Sequence, residues 1–319
     1  MRNALTTARA KPHLAREEGA TLREQQSGHT SVLVEESLKL LDLKDGETVL
    51  DATLGQGGHS EAILREAKVK LIGLDADAQA LTAAGERLTQ FHSRVEFIEG
   101  NFRDMERLLS LKGIEKIDNI LFDLGWSSVQ LTAGRGFSFL SDEPLNMSYG
   151  SRPQSGFTAA DILNMWSEKG IADALYGYGE ERYAKRIARA VIERRKEAPI
   201  KSTIELVEIV KDSVPPTYRH GRIHPATKTF QALRIAVNDE LTSLEMGLTS
   251  AWKLLAPGGR IVVITFHSIE DRIVKKLFAS FAKKDGILLV KKPVTPSRSE
   301  ITNNPRARSA KLRGIKKNR

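Results

Sequence analysis

Glu47-Thr-Val-Leu-Asp51-Ala-Thr-Leu-Gly55-Gln-Gly57-Gly58-His59-Ser60 is the stretch that decides the fold. A short apolar run ends in an acid, a glycine-rich turn follows, and Ser60 to Lys68 carries a helical pattern. That order of strand, turn and helix is the start of a βαβ unit. It is preceded by apolar residues at helical spacing from Ser31 to Leu43, and it recurs downstream. Val69 to Leu74 is a second apolar strand ending at Asp75, and a helix is expected from Ala78 to Gln90. Val95 to Ile98 is a third strand, running into Gly100-Asn101-Phe102, and Ile117 to Phe122 a fourth, ending at Asp123. Alternating strands and helices predict an α/β protein with a parallel, doubly wound sheet.

The alternation stops at Gly134. From there to Arg222 the chain holds Gly-, Ser- and Pro-rich loops up to Gly156, then helix-like stretches such as Glu180 to Arg195. It resumes with an amphipathic helix expected over Phe230 to Leu255, a Pro257-Gly258-Gly259 turn and a strand from Arg260 to Phe266. The expected organisation is therefore a flexible extension over 1–28, a sheet domain over 29–133 and 223–290, an inserted all-helical domain over 134–222, and a tail over 291–319. A chain of 319 residues, 40% apolar and 28% charged, is long enough for such a core.

Composition excludes several classes. No run of eighteen apolar residues exists, so no membrane-spanning helix is expected. No apolar stretch of signal-peptide length opens the chain, and Glu17, Glu18 and Glu24 interleave with Arg16 and Arg23, so a cytoplasmic protein is expected. The chain has no cysteine, which excludes disulfides, thiolate zinc sites and a cysteine nucleophile. His220 and His224 have helical metal-pair spacing, but Gly221 and Pro225 interrupt any helix there, and no metal is expected.

The net charge of +9 has a location. Lys291 to Arg319 holds ten of the 49 basic residues and one of the 40 acidic ones, so the remainder balances at 39 of each. A neutral body with a cationic end reads either as a phosphate-binding arm, with Arg306 and Arg308 at its centre, or as solvated charge. In the second case Lys185, Arg186 and Arg189 are the alternative cations for a polyanion.

In an open α/β sheet, ligands bind beyond the carboxyl ends of the strands. Those ends carry Asp51, Asp75, Asn101-Phe102 and Asp123. Gly55, Gly57 and Gly58 allow close backbone approach to a ligand. Asp75 stands twenty residues after Gly55, the spacing at which an acid accepts hydrogen bonds from ribose hydroxyls. Phe102 could stack on or line an adenine. The third glycine of a dinucleotide fingerprint is replaced by Ser60, and no P-loop lysine follows. An adenosine ligand without a pyrophosphate fits best, and S-adenosylmethionine is the foremost of that kind. Asp123 would then lie at the methyl-transfer end of the fourth strand, as a catalytic group, a cofactor contact or a turn cap. Without cysteine, methylation at a pyrimidine carbon is disfavoured and a nitrogen or oxygen acceptor remains. His267 and Ser268 follow the fifth strand at the same edge, where His267 reads equally as a target contact or a helix cap.

The chain resembles the bacterial MraW/RsmH methyltransferases. The resemblance is carried by His29-Thr-Ser-Val-Leu, Leu54-Gly-Gln-Gly-Gly-His-Ser60, Asp123-Leu-Gly-Trp-Ser-Ser and Arg135-Gly-Phe-Ser-Phe. It continues through Tyr178-Gly-Glu-Glu-Arg182, His224-Pro-Ala-Thr-Lys-Thr-Phe-Gln-Ala-Leu-Arg234, Phe266-His-Ser-Ile-Glu-Asp-Arg272 and Asn304-Pro-Arg-Ala-Arg-Ser309. It implies a class I, Rossmann-like S-adenosylmethionine-dependent sheet with a helical insertion. It implies methylation of the N4 amine of a decoding-region cytosine in 16S ribosomal RNA. The implied cofactor contacts are Gly57, Gly58, His59, Asp75, Phe102, Asp123 and Gln130. Candidate RNA contacts are Ser127, Ser128, Arg135, His267, Ser268, Arg306 and Arg308. One departure stands out: Asn146-Met147-Ser148 replaces the family's usual Asp-Met-Arg.

Overall fold

The computed structural model describes residues 30–125 and 134–319. Ser31–Arg319 forms one compact unit. The extension expected over 1–28 lies outside the described residues, as do Ser127, Ser128 and Gln130.

The first half alternates as expected: α1 (Val34–Leu41), β1 (Thr48–Asp51), α2 (Gly58–Glu66), β2 (Lys70–Asp75), α3 (Ala78–Arg87), β3 (Val95–Glu99), α4 (Met105–Ser110) and β4 (Ile117–Asp123). Six helices follow: α5 (Ala159–Met165), α6 (Glu168–Gly179), α7 (Ala184–Glu197), α8 (Thr203–Ser213), α9 (Pro216–Arg219) and α10 (Thr227–Asn238). The chain then returns to the sheet through α11 (Glu240–Leu254), β5 (Leu255–Thr265), α12 (Ser268–Ala282), β6 (Gly286–Leu288), α13 (Arg298–Asn303) and β7 (Lys311–Lys317).

The seven strands lie in the order β3-β2-β1-β4-β5-β7-β6. β1 to β5 run parallel, and β7 runs antiparallel between β5 and β6. The central strands β1, β2 and β4 are buried along most of their length, which explains their apolar runs, whereas the edge strand β3 keeps Phe97 exposed. One face packs Leu50, Ile72, Ile120, Phe122 and Val263 against α11 and α12. The other packs Val49, Leu71, Leu121 and Val262 against α1 and α2. The Pro257-Gly258-Gly259 turn is a bulge inside β5. Leu255 pairs with Ile117 and Arg260 with Asn119, so the intervening residues loop out, with Gly258 at φ 83°.

Three expectations are corrected. First, the 291–319 segment is no tail, because β7 is an interior strand whose Leu312 and Ile315 are fully buried. Its cations are partly committed to the body. Arg313 and Lys311 donate to the Asp271 carboxylate, and Lys317 to the carbonyls of Trp252 and Leu255. Second, the helical core extends past 222 to Val237, taking in Phe230, Leu233 and Ala236 of α10. Third, the helix expected over Phe230 to Leu255 is two helices. Asp239 adopts a left-handed φ of 46°, which ends α10 and turns the chain back toward the sheet.

Candidate active site

β1 delivers Asp51 to the sheet edge, where it is buried and accepts from Ser60 Oγ at 2.7 Å and Thr53 N–H at 3.2 Å. The turn that follows closes on itself through Gly57 N–H to Leu54 O at 2.8 Å. Gly57 holds φ 75° at the N-cap of α2, a conformation that disfavours side chains. A Cβ at Gly58 would collide with Ser31 Oγ. The glycines of the turn are therefore required for different reasons, Gly55 and Gly57 by their positive φ and Gly58 by close packing.

A carboxylate stands at either end of this turn. Asp75 Oδ2 accepts from Gly55 N–H at 2.8 Å, and its Oδ1 accepts from Asp77 N–H at 2.9 Å. Desolvation pushes the Asp75 carboxyl up to about 6, against the pull of those two N–H groups. Each oxygen keeps a further lone pair for a ligand hydroxyl.

Asp123 closes the other end. Its N–H donates to Thr53 Oγ1 at 2.6 Å, and its Oδ2 lies 3.4 Å from His59 Nδ1. Asp123 Oδ1 is buried and has no hydrogen-bond partner among the described residues. His59 is 5% exposed, and its Nε2 donates to Val32 O at 3.0 Å. Burial alone would lower the His59 pKa. The Asp123 carboxylate, with Asp51 and the Val32 carbonyl, outweighs burial and holds it above the ordinary histidine value.

The remaining predicted residues are placed as follows. Phe102 follows β3, and its ring packs edge-on to Phe122 at 5.6 Å and against the bare face of Gly247. Arg135, expected at RNA, is occupied internally. It pairs with Asp77 and donates to the carbonyls of Tyr149, at 2.6 Å, and Ser148. It thereby ties the head of the helical insertion to the end of β2. His267 takes the helix-cap alternative: it is the N-cap of α12, accepting from Glu270 N–H while the Glu270 carboxylate reaches back. Ser268 and Arg272 donate to Glu180, whose carbonyl also receives Lys228, so this contact joins the insertion to α12. His224 stacks on Phe139 at 4.6 Å, which explains it as a packing residue. Arg306 and Arg308 are exposed.

Sequence reasoning missed two features. One is Thr53, whose hydroxyl fixes the Asp123 backbone. The other is a buried ion network in which Arg234 forks onto Glu240 at 2.8 and 2.9 Å, with Tyr149 Oη also donating to Glu240. Glu240, His267 and Glu270 bring ligand-type atoms within 4.8 Å of one another, but Arg234 already takes both Glu240 oxygens. The i, i+6 spacing of Arg234 and Glu240 spans the helix break at Asp239, so neither helical period reveals the pair. Asn146 Oδ1, at the departure noted above, accepts from Ser148 N–H in a local turn.

The donor set fits an adenosyl ligand carrying a cationic sulfur: open backbone in the turn, an acceptor carboxylate for hydroxyls at one end, a second acid at the other. With this strand order, those features define a class I S-adenosylmethionine-dependent methyltransferase. A model of the MraW methylase family matches residues 26–318. A Ribosomal RNA small subunit methyltransferase H of Sulfurihydrogenibium is 47% identical over 287 residues, covering 89% of this chain and 97% of that one. Another, from Carboxydothermus hydrogenoformans, is 46% identical over 306 residues, covering 91% and 97%. An rRNA methylase structure from Streptococcus thermophilus overlays at TM-score 0.44 with 11% identity, over 92% of this chain and 100% of that one. The chain belongs to the MraW methylase family.

Proposed function

We propose that this methyltransferase modifies the exocyclic N4 amine of a cytosine in small-subunit ribosomal RNA, with Asp123 as the catalytic residue. The observation that carries the reading is Asp123 Oδ1, buried beside the cofactor turn with no hydrogen-bond partner among the described residues. A buried acceptor left without a donor costs about 1–3 kcal/mol, a cost removed when a ligand N–H arrives. An exocyclic amine is such a donor. Accepting its N–H turns the amine's lone pair out of conjugation with the ring.

Bound S-adenosylmethionine would supply a methyl group on a cationic sulfur that departs with the carbon–sulfur pair, and the methylated amine would give up one proton. Asp123 Oδ1 receives that proton along the hydrogen bond it already holds. Gly57, Gly58 and Asp75 hold the cofactor. The names of the relatives support ribosomal RNA as the partner.

Because β7 occupies several C-terminal cations, RNA is held by a surface the folded chain presents. Arg182, Lys185, Arg186 and Arg189 are exposed at i, i+3, i+4 and i+7 along α7 and the residue pair ahead of it. The Arg182 guanidinium lies 4.8 Å from both the Tyr183 and Tyr218 rings, a basic and aromatic surface suited to phosphate and base stacking. Exposed Arg298, Arg306 and Arg308 supply further phosphate contacts. The test is incubation of labelled cofactor with small subunits from a strain lacking the enzyme, followed by nucleoside mapping. N4-methylcytidine is the expected product. Label on DNA or on a small molecule instead would redirect the assignment, and no label on any acceptor would favour a binding scaffold.

A further inference from the structure

We infer that His59 is a positioning residue for methyl transfer, clamping Asp123 Oδ2 so that Oδ1 stays turned toward the acceptor amine. The inference rests on the reading of Asp123 above and assigns His59 a role beyond lining the cofactor turn.

The geometry leaves the ring little else to do. His59 is 5% exposed at the start of α2, and both its nitrogens face acceptors, Val32 O at 3.0 Å and Asp123 Oδ2 at 3.4 Å. A neutral imidazole has one donor and one acceptor nitrogen, so it would leave one of these contacts acceptor to acceptor. The cationic ring satisfies both. Val32 O anchors the far nitrogen and fixes the ring plane. On the other side Asp123 is pinned through its backbone by Thr53 Oγ1 at 2.6 Å. Asp123 is thus held at its main chain and at one carboxylate oxygen, and the other oxygen, without a partner among the described residues, is the one offered to substrate. Asp51, also buried at this edge, is already engaged by Ser60 and Thr53 and does not compete for the ring's donors. Without the clamp, the Asp123 carboxylate can rotate about its Cβ–Cγ bond and the amine loses its fixed acceptor.

The experiment compares His59→Leu, His59→Gln, Asp123→Ala and the His59→Leu/Asp123→Ala double variant in the full chain, with small subunits as acceptor. Single-turnover rates are read at saturating cofactor and RNA, alongside the Kd for S-adenosylmethionine. The expected result is a loss of about tenfold to a hundredfold in rate for His59→Leu, within the range for losing one oriented polar contact at the reacting centre. His59→Gln keeps a donor toward Asp123 and should recover part of that loss. The double variant should be no slower than Asp123→Ala alone, since the histidine acts only through the aspartate. An additive double variant, or a His59→Leu enzyme altered only in cofactor Kd, overturns the inference and leaves the Asp123 reading intact. An unimpaired Asp123→Ala rate overturns the Asp123 reading itself. Should His59→Leu fail to fold, His59→Ala takes its place: a wild-type rate with the cofactor Kd weakened alone overturns the inference, and a reduced rate at unchanged Kd sustains it.

Discussion

Gly55 N–H donates to Asp75 Oδ2 at 2.8 Å, joining the two residues whose twenty-residue separation marks them in the sequence. The spacing that suggests a ribose contact is also the spacing of a direct bond between the glycine turn and the acid. The turn therefore shapes the carboxylate before any ligand arrives, and each oxygen keeps a further lone pair.

Asp75 must be ionised to accept two hydroxyls, and desolvation places its carboxyl at about 6. A raised acid pKa means that the proton is taken up as pH falls through that value. Cofactor affinity should thus be full above pH 7 and fall by up to about tenfold per unit below pH 6. Asp75→Asn should bind about ten- to a hundredfold more weakly at neutral pH, the cost of a charge-assisted hydrogen bond, and lose the acid limb. Calorimetry between pH 5 and 8 checks both; an acid limb that persists in Asp75→Asn would assign it to another group.

Truncation after Val290 should abolish folding rather than merely weaken RNA binding. It removes the interior strand β7 with Leu312 and Ile315, both fully buried. Each is worth about 1.5–3 kcal/mol of burial, against a total stability of about 5–15 kcal/mol. It also strips β5 of its antiparallel partner along six residues. Circular dichroism and gel filtration of the truncated chain are the check, and a soluble, cooperatively melting product would contradict the structure.

Replacing Arg182, Lys185, Arg186 and Arg189 with Gln should flatten the dependence of log RNA affinity on log salt. Each lost phosphate contact contributes about 0.7–0.9, so the slope should change by about 3 if all four touch phosphate. Cofactor affinity should stay within error, since all four lie on the inserted helical unit. An unchanged slope in a salt titration would move the RNA surface to Arg298, Arg306 and Arg308.

Arg135→Ala should destabilise the enzyme by about 3–5 kcal/mol, because it leaves the buried Asp77 carboxylate without its cation. Asp77 N–H also holds Asp75 Oδ1, so cofactor affinity should fall with stability. Urea denaturation read beside cofactor titration tests the coupling. Loss of RNA binding alone, with stability unchanged, would restore Arg135 to the RNA surface.

The sequence by itself determined the alternation of β1 to β4 with their helices, the acids at the strand ends and the bare glycine turn. Each of these is a local property: apolar period, turn chemistry and strand length are set within a few residues, and parallel strands buried on both faces advertise themselves as apolar runs. Only the tertiary structure decided the rest. Lys311-Leu-Arg-Gly-Ile-Lys-Lys317 reads as a charged end, yet it is an interior strand, because β5 and β6 hydrogen-bond it on both sides while Asp271 and two carbonyls take up its cations. Arg135 is a clasp and not a free cation because Asp77, 58 residues earlier, is brought beneath it. The pairing of His59 with Asp123 joins α2 to the end of β4, and it leaves Asp123 Oδ1 buried without a hydrogen-bond partner among the described residues. Partners that distant in the chain leave no periodic trace in it; they meet only once hydrophobic packing has brought the strand ends together.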